Sequence, residues 1–265
     1  MQRLDPVEVV STVLSFDFDG TLHDPSAVPS VPTGFFELIR ELRASHGAAW
    51  GINTGRSMPH VVEGLVESGA PFLPDWVVAR EREIYFPNRF GRWVPQEKWN
   101  QRCEKDIHGL FKKHRKLLKK IRDEVLAHTG AEWIEMEGEP AGLVARRVED
   151  MEWIEPRVTA LAAEAPDLGW QRNSIWLRFG HRNYQKGSSL AEVARHYGVK
   201  AERCFATGDG HNDLAMLTPE VAGLLACPAN AVEEVRAQVA RHGGHVCEQG
   251  HGDGAVEALE RFFPS

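Results

Sequence analysis

Between Val9 and Phe16 the chain carries no charged side chain and is built largely from β-branched and bulky apolar residues, Val9, Val10, Val13, Leu14 and Phe16 among them. That is the composition of a strand buried on both faces, which belongs inside a mostly parallel sheet. The run ends in Asp17-Phe18-Asp19-Gly20-Thr21, and in open α/β sheets the carboxyl ends of the strands are where ligands bind. In extended backbone the side chains of residues i and i+2 point the same way, so Asp17 and Asp19 can converge on one small volume while Gly20 lets the chain turn away. Two carboxylates so close repel each other, and their coexistence requires a cation or a shared proton. Taken alone, the same residues also suit an Asx-type turn that merely ends a strand.

Three further segments stand beside this one. The apolar run Ala48-Ala49-Trp50-Gly51-Ile52 ends in Asn53-Thr54-Gly55-Arg56-Ser57, with a helix expected from about Pro59. A hydroxyl and free backbone amides at such a strand end suit a phosphate oxygen. Lys186-Gly187 opens an amphipathic segment through Leu190, Val193, Ala194 and Tyr197. The helix dipole disfavours an ammonium at that end, and a phosphate counter-anion resolves the conflict. Strand-like Arg203–Thr207 then runs into Gly208-Asp209-Gly210-His211-Asn212-Asp213, which adds two carboxylates on a glycine-rich turn.

In this order and spacing the four elements resemble the haloacid-dehalogenase superfamily of phosphohydrolases. The Gly-Asp-Gly-x-Asn-Asp segment looks most like the Cof-type branch, which includes the sucrose-phosphate phosphatases. The resemblance runs from about Val9 to Leu259, with the middle poorly matched. It implies that Asp17 is the nucleophile forming an aspartyl-phosphate, and that Asp19 is the general acid and base. It also implies that Thr54, Gly55, Lys186 and Asn212 bind the phosphate. The metal ligands it implies are Asp17, Asp209, Asp213 and the backbone carbonyl of Asp19. Magnesium is the implied ion, a hard cation suited to oxygen ligands in motifs that hold no His or Cys cluster. The implied activity is hydrolysis of a small phosphorylated metabolite, a sugar phosphate foremost. An aspartate of ordinary pKa, about 3.9, is ionised at neutral pH and attacks without an activating base. Asp19 must instead hold a proton, which requires the two environments to differ.

Along the chain, helices are expected near Gly34–His46, Pro59–Glu67, Ser188–His196, Asn212–Leu217, Ala231–Arg241 and Gly254–Phe262. They alternate with strands at Val77, Phe205 and Val221–Leu225. That alternation means a doubly wound parallel sheet, an α/β core formed by residues 1–84 and 181–265. Residues 85–180 read as an inserted α+β domain, in the position of the family's type-two cap. Its expected elements are a long polar helix over Asn100–His128, strands at Ala131–Glu137, Gly142–Val148 and Ser174–Phe179, and a helix over Trp153–Ala163. The only repeat suggested is a duplicated helix-plus-two-strands unit within this insertion. The chain has a net charge of −7, yet Arg80–Gln185 holds twenty Lys or Arg against seventeen Asp or Glu. A mildly basic insertion suits an anionic small molecule and is too weakly charged to indicate nucleic acid. No apolar run reaches the length of a membrane span, and Met1–Pro6 lacks a signal-peptide layout, so the expected location is the cytoplasm, as a monomer or homodimer. The four cysteines, Cys103, Cys204, Cys227 and Cys247, show no paired spacing and read as reduced thiols.

Other features have plainer readings. The run Lys112-Lys113-His114-Arg115-Lys116 with Lys119-Lys120 reads as the solvated face of a helix that also carries Phe111, Leu117, Leu118 and Ile121. The tryptophans of the middle segment, Trp93, Trp99, Trp133, Trp153, Trp170 and Trp176, are expected mostly in its core. His242, His245, Cys247 and His251 have zinc chemistry but fit no closed structural spacing. The segment Ala79-Arg80-Glu81-Arg82-Glu83-Ile84 is densely charged where many relatives have a glycine-containing turn. There Arg80 and Arg82 either contact substrate or pair with Glu81 and Glu83. Arg146, Arg147, Arg178 and Arg182 are candidates for a second anionic group of the substrate. A phosphohexomutase with the same covalent chemistry and a noncatalytic sugar-phosphate sensor are the competing functions.

Overall fold

A computed structural model describes residues 1–136 and 139–264. In chain order its elements begin with β1 (Thr12–Phe16), α1 (Thr33–His46), β2 (Ala48–Asn53), α2 (Met58–Glu67), β3 (Trp76–Ala79), β4 (Glu83–Pro87), β5 (Trp93–Pro95) and α3 (Glu97–Lys113). They continue with α4 (Arg115–His128), β6 (Glu132–Met136), β7 (Glu139–Val144), α5 (Val148–Leu161), β8 (Leu168–Asn173) and β9 (Trp176–His181). The last are α6 (Lys186–Tyr197), β10 (Cys204–Thr207), β11 (Leu224–Cys227), α7 (Glu233–Arg241), β12 (His245–Val246) and α8 (His251–Phe262). Two compact units result, Met1–Asn100 with Lys186–Ser265, and Gln101–Gln185.

The first unit is built on an eight-stranded sheet in the order β12-β11-β10-β1-β2-β3-β4-β5. The six strands from β12 to β3 are parallel, and β4 and β5 continue the sheet antiparallel. Every residue of β1 and β2 is buried, as their apolar runs require. Helix α1 buries Phe35, Phe36, Ile39 and Leu42 along one face. It ends where Gly47, in left-handed backbone, returns its N–H to Leu42 O. Phe16, Phe35 and Trp50 meet edge-on at centroid distances of 5.1 and 5.6 Å, each pair adding about 1 kcal/mol beyond its buried area.

The second unit has a four-stranded antiparallel sheet in the order β6-β7-β9-β8. This is two hairpins joined through β7 and β9, the arrangement a duplicated helix-plus-two-strands unit would produce. Its core gathers Leu118, Ile121 and Val125 of α4, Met151, Ile154 and Val158 of α5, and Leu143, Leu168, Leu177 and Phe179 of the sheet. Lys113 and Lys119 are exposed and pair with Asp167 and Asp123. Among the described residues no helix is long and apolar enough to cross a membrane.

Several expectations need correction. The first strand begins only at Thr12, and Val9 is 77 % exposed. The hairpin β4–β5 extends the core sheet, so the division between the units falls within α3 rather than at residue 85, and Trp93 and Trp99 stand with the first unit. The long polar helix is two helices, interrupted at His114, whose Nε2 lies 2.7 Å from Asp167 Oδ1. Val148 starts α5 instead of ending a strand, and Glu137 lies outside the described residues. Strand β8, Leu-Gly-Trp-Gln-Arg-Asn, has few β-branched or alternating residues and exists through its six-residue pairing with β9. The helix expected over Asn212–Leu217 is a single 3₁₀ turn, His211–Asp213, which is capped at its start, where Asp213 accepts the Gly210 N–H at 2.9 Å, and is not continued beyond Asp213.

Candidate active site

The chain leaves β1 toward β2 on one side and later enters the sheet on the other side through β10, so the strand order reverses between β1 and β10. Crevices at such switch points are the ligand sites of open α/β sheets. Pairing of Phe16 with Thr207 puts the loops after β1 and β10 side by side, and Asp17 N–H donates to Thr207 O at 3.0 Å. Gly20 has φ 79°, and a Cβ there would overlap the Asp209 carboxyl group, so the turn needs glycine for both conformation and space. A Cβ at Gly187 would overlap the Ala215 carbonyl. Its absence lets the start of α6 sit on the loop after β10, which brings Lys186 in.

Lys186 is fully buried, and its Nζ lies 2.8 Å from Asp17 Oδ1 and 2.6 Å from Asp213 Oδ1. Asp17 Oδ1 also accepts the Phe18 N–H at 2.7 Å. Asp209 Oδ1 accepts the Thr21 hydroxyl at 2.8 Å. Ligand atoms of Asp17, Asp209 and Asp213 all lie within 4.8 Å of one another. Burial, and then the charge of Asp213, pushes Asp17 up to about 8 against the pull of Lys186. Burial and Asp17 push Asp209 up to about 6. Asp213 is raised mainly by burial, with Lys186 opposing. Burial alone would lower the Lys186 ammonium, yet Asp17 and Asp213 together hold it above its ordinary value.

Two buried carboxyl groups, Asp17 and Asp213, and the half-buried Asp209 therefore face one buried ammonium. Each carboxyl group resists ionisation chiefly because it is taken out of water, and a neighbouring carboxylate adds to this, a cost that shared protons or a bound cation can relieve. The donors are all oxygens and converge within one ion's reach, so the residues present fit a hard divalent cation.

Asp19 stands apart from this cluster. Its neighbour is a cation: Arg56 Nε donates to Oδ2 at 2.7 Å and Nη2 to Oδ1 at 2.6 Å, a bidentate pair on a carboxyl group 49 % exposed. The guanidinium lies over the Phe18 ring at 4.8 Å and donates to His60 O. Thr54 is buried after β2, with its N–H on Val78 O and its hydroxyl accepting the Arg56 N–H at 3.2 Å; Gly55 follows it in the same loop. Asn212 Nδ2 donates to Glu81 Oε1 at 2.8 Å. Arg56, Glu81 and Thr21 contact these groups without having been assigned roles from sequence; for Arg56 the signal was its place directly after Thr54-Gly55.

Of the other arginines, Arg80 pairs with Glu83 at 3.1 Å and Arg82 donates to the Arg80 carbonyl, while Glu81 turns inward to Asn212. Arg146, Arg147, Arg178 and Arg182 belong to the second unit, where Arg147 pairs with Asp150 at the start of α5. His245 and Cys247 come within 4.8 Å of Glu257, without His242 or His251. Each of these groups is already engaged: His245 Nε2 with Glu257 at 2.7 Å, the Cys247 thiol with Gly254 O, and Glu257 with the Glu248 and Gln249 N–H groups.

Similarity to known proteins agrees with this geometry. Segments of the chain are similar to phosphoglycolate phosphatases of Methanoculleus marisnigri, 40 % identical over 79 residues, and Methanosarcina acetivorans, 40 % identical over 75 residues. Those segments are 30 % and 28 % of this chain and span only about a third of each relative, 31 % and 30 %. In fold the chain is similar to the sucrose-phosphatase of Synechocystis sp. PCC6803 solved with sucrose and phosphate, at a TM-score of 0.73 and 16 % identity over 96 % of this chain and 98 % of that one. A haloacid dehalogenase-like hydrolase from Bacillus subtilis gives a TM-score of 0.67 and 17 % identity over 100 % of this chain and 96 % of that one. The sequence profile of haloacid dehalogenase-like hydrolases matches residues 94–259, more than half the chain and inclusive of Lys186, Asp209 and Asp213. With the paired aspartates standing at the switch point of the sheet that this profile partly covers, the chain belongs to the haloacid dehalogenase-like hydrolases.

Proposed function

We propose that this protein is a magnesium-dependent phosphomonoester hydrolase that works through an aspartyl-phosphate on a small phosphorylated metabolite, a sugar phosphate foremost. The observation that carries the reading is the buried Asp17 at a strand end, with Lys186 at 2.8 Å and the Asp209 and Asp213 oxygens within 4.8 Å. Asp17 attacks phosphorus while the bond to the leaving oxygen breaks, and Asp19 delivers a proton to that oxygen. Water then attacks the phosphorus of the aspartyl-phosphate, gives its proton to Asp19, and releases Asp17 with inorganic phosphate. Delivery of the first proton requires one oxygen of Asp19 to leave the Arg56 guanidinium. Thr54, Gly55, Asn212 and Lys186 bind the phosphoryl oxygens, Lys186 with a full charge that persists through the transition state. Mg²⁺ held by Asp17, Asp209, Asp213 and the Asp19 carbonyl would offset phosphoryl charge and let the anion approach a carboxylate. Substrate choice falls to Arg80, Arg82, Arg146, Arg147, Arg178 and Arg182.

The test is a screen of hexose 1- and 6-phosphates, phosphoglycolate and an aryl phosphate, with Mg²⁺ and after chelation, scoring free phosphate and isomer formation. Phosphate release that chelation abolishes and Mg²⁺ restores is the expected result. Hexose phosphate isomerisation in place of release would make it a mutase, and binding without turnover a sensor.

A further inference from the structure

Glu81 occupies the turn between β3 and β4, yet it is only 3 % exposed. Arg80 and Glu81 both adopt left-handed backbone, with φ 49° and 65°, a conformation unfavourable for residues bearing a Cβ. A turn serving only as a connection would take Asn-Gly here. Instead Glu81 contacts three segments of the site. Its N–H donates to Thr54 O at 2.8 Å. Its carbonyl accepts the hydroxyl of Ser189, three residues after Lys186, at 2.9 Å. Its Oε1 accepts Asn212 Nδ2 at 2.8 Å, and its charge also acts on the Lys186 ammonium.

A carboxylate only accepts hydrogen bonds, so it dictates which end of the Asn212 amide faces it. The amide nitrogen turns to Glu81, and among the described residues Asn212 Oδ1 is buried without a hydrogen-bond partner. We propose that Glu81 is a positioning residue: it orients the Asn212 amide and, through Thr54 and Ser189, spaces the three segments that receive the substrate's phosphoryl group. Its kinetic consequence rests on the phosphatase reading above; its structural consequence does not. A negative charge near an anion site weakens ground-state binding, so it is retained at a cost that only the transition state recovers. The two effects have opposite signs. Removing Glu81 should slow turnover while leaving inorganic phosphate bound as well as before, or more tightly.

The experiment compares wild type with Glu81→Gln, which keeps an acceptor oxygen without the charge, and Glu81→Met, which keeps bulk alone. Measured quantities are kcat on an aryl phosphate, the affinity for inorganic phosphate with Mg²⁺ present, and Tm. The expected result is a kcat loss of about 100-fold for Glu81→Met and about 10-fold for Glu81→Gln, with phosphate affinity equal or higher in both. The proposal is overturned if Glu81→Met keeps kcat within about twofold, or if kcat, phosphate affinity and Tm fall together as for a purely structural residue. Should wild type hydrolyse no phosphate ester, the function reading fails on its own, and Glu81 is then judged by the Asn212 side-chain amide resonances in ¹⁵N-labelled protein. A shift in Glu81→Met upholds the contact, and unchanged resonances overturn it.

Discussion

Removing divalent cations should make this protein less stable as pH rises through neutrality. Asp17 has an ordinary value of 3.8 and is pushed up to about 8 in the fold, chiefly by burial. A group whose folded pKa is raised stabilises the fold fully below its unfolded pKa and ceases to do so as pH rises through the folded pKa. From pH 6.5 to 8 folded Asp17 moves from almost fully protonated to half ionised, while the unfolded group is ionised throughout. At 1.36 kcal/mol per pKa unit this withdraws about 2 kcal/mol, or roughly 4–8 °C in Tm for a unit of this size. Asp209, raised only to about 6, and the buried thiols of Cys204, Cys227 and Cys247, which are raised by burial and act from about pH 8 upward, contribute mainly outside this window; Asp213, also raised by burial, adds a loss of the same sign, and His196, lowered by burial, a smaller gain at its lower end. With Mg²⁺ the carboxylates are held ionised, so the slope should flatten and the Tm gain from the ion should grow with pH. Calorimetry in EDTA and in Mg²⁺ at four pH values measures both. A metal-free Tm that stays level or rises from pH 6.5 to 8, or a Mg²⁺ gain independent of pH, would refute the charge accounting at this cluster.

Replacing the paired aspartates should separate their roles. Asp17→Asn should lose all turnover, whereas Asp19→Asn should retain more first-step activity on an activated aryl phosphate than on a sugar phosphate, and equal losses on both would rule out Asp19 as the acid. Lys186→Met should lower turnover about a hundredfold or more on every substrate, and should destabilise the metal-free fold by about 3–5 kcal/mol because Asp17 and Asp213 lose their buried partner; a change of substrate preference without general loss would contradict its place at the phosphoryl group. Gly187→Ala should cost about 1–3 kcal/mol through overlap with the Ala215 carbonyl, and should slow turnover by displacing Lys186. An unchanged Tm and kcat would show that this approach is not tight.

Much of the core was legible because the chemistry of a strand end is local. Apolar runs ending in Asp17, Asn53 and Thr207 had to be strands in a covered sheet, and amphipathic periods between them had to be helices. Errors fell where tertiary contacts override local preference. Leu168–Asn173 has no strand pattern and is a strand through β9. Leu214–Leu217 has a helical pattern and no helix, in a loop that distant groups pack on: Lys186 through Asp213, and Gly187 against the Ala215 carbonyl.

By itself the sequence determined the alternating α/β core, the interruption of that core by an α+β insertion, and the concentration of carboxylates, a threonine and a lysine at strand ends and helix starts. Periodicity and composition act over a few residues and can be read in one dimension. Only the tertiary structure decided which of those groups meet: Lys186 between Asp17 and Asp213, Arg56 on Asp19, Glu81 on Asn212. These pairings depend on β-strand register, on glycines that allow one loop to lie against another, and on a turn held in left-handed backbone. The local sequence shows the glycines and the charged turn but not what they meet, because each partner is set by a segment distant along the chain.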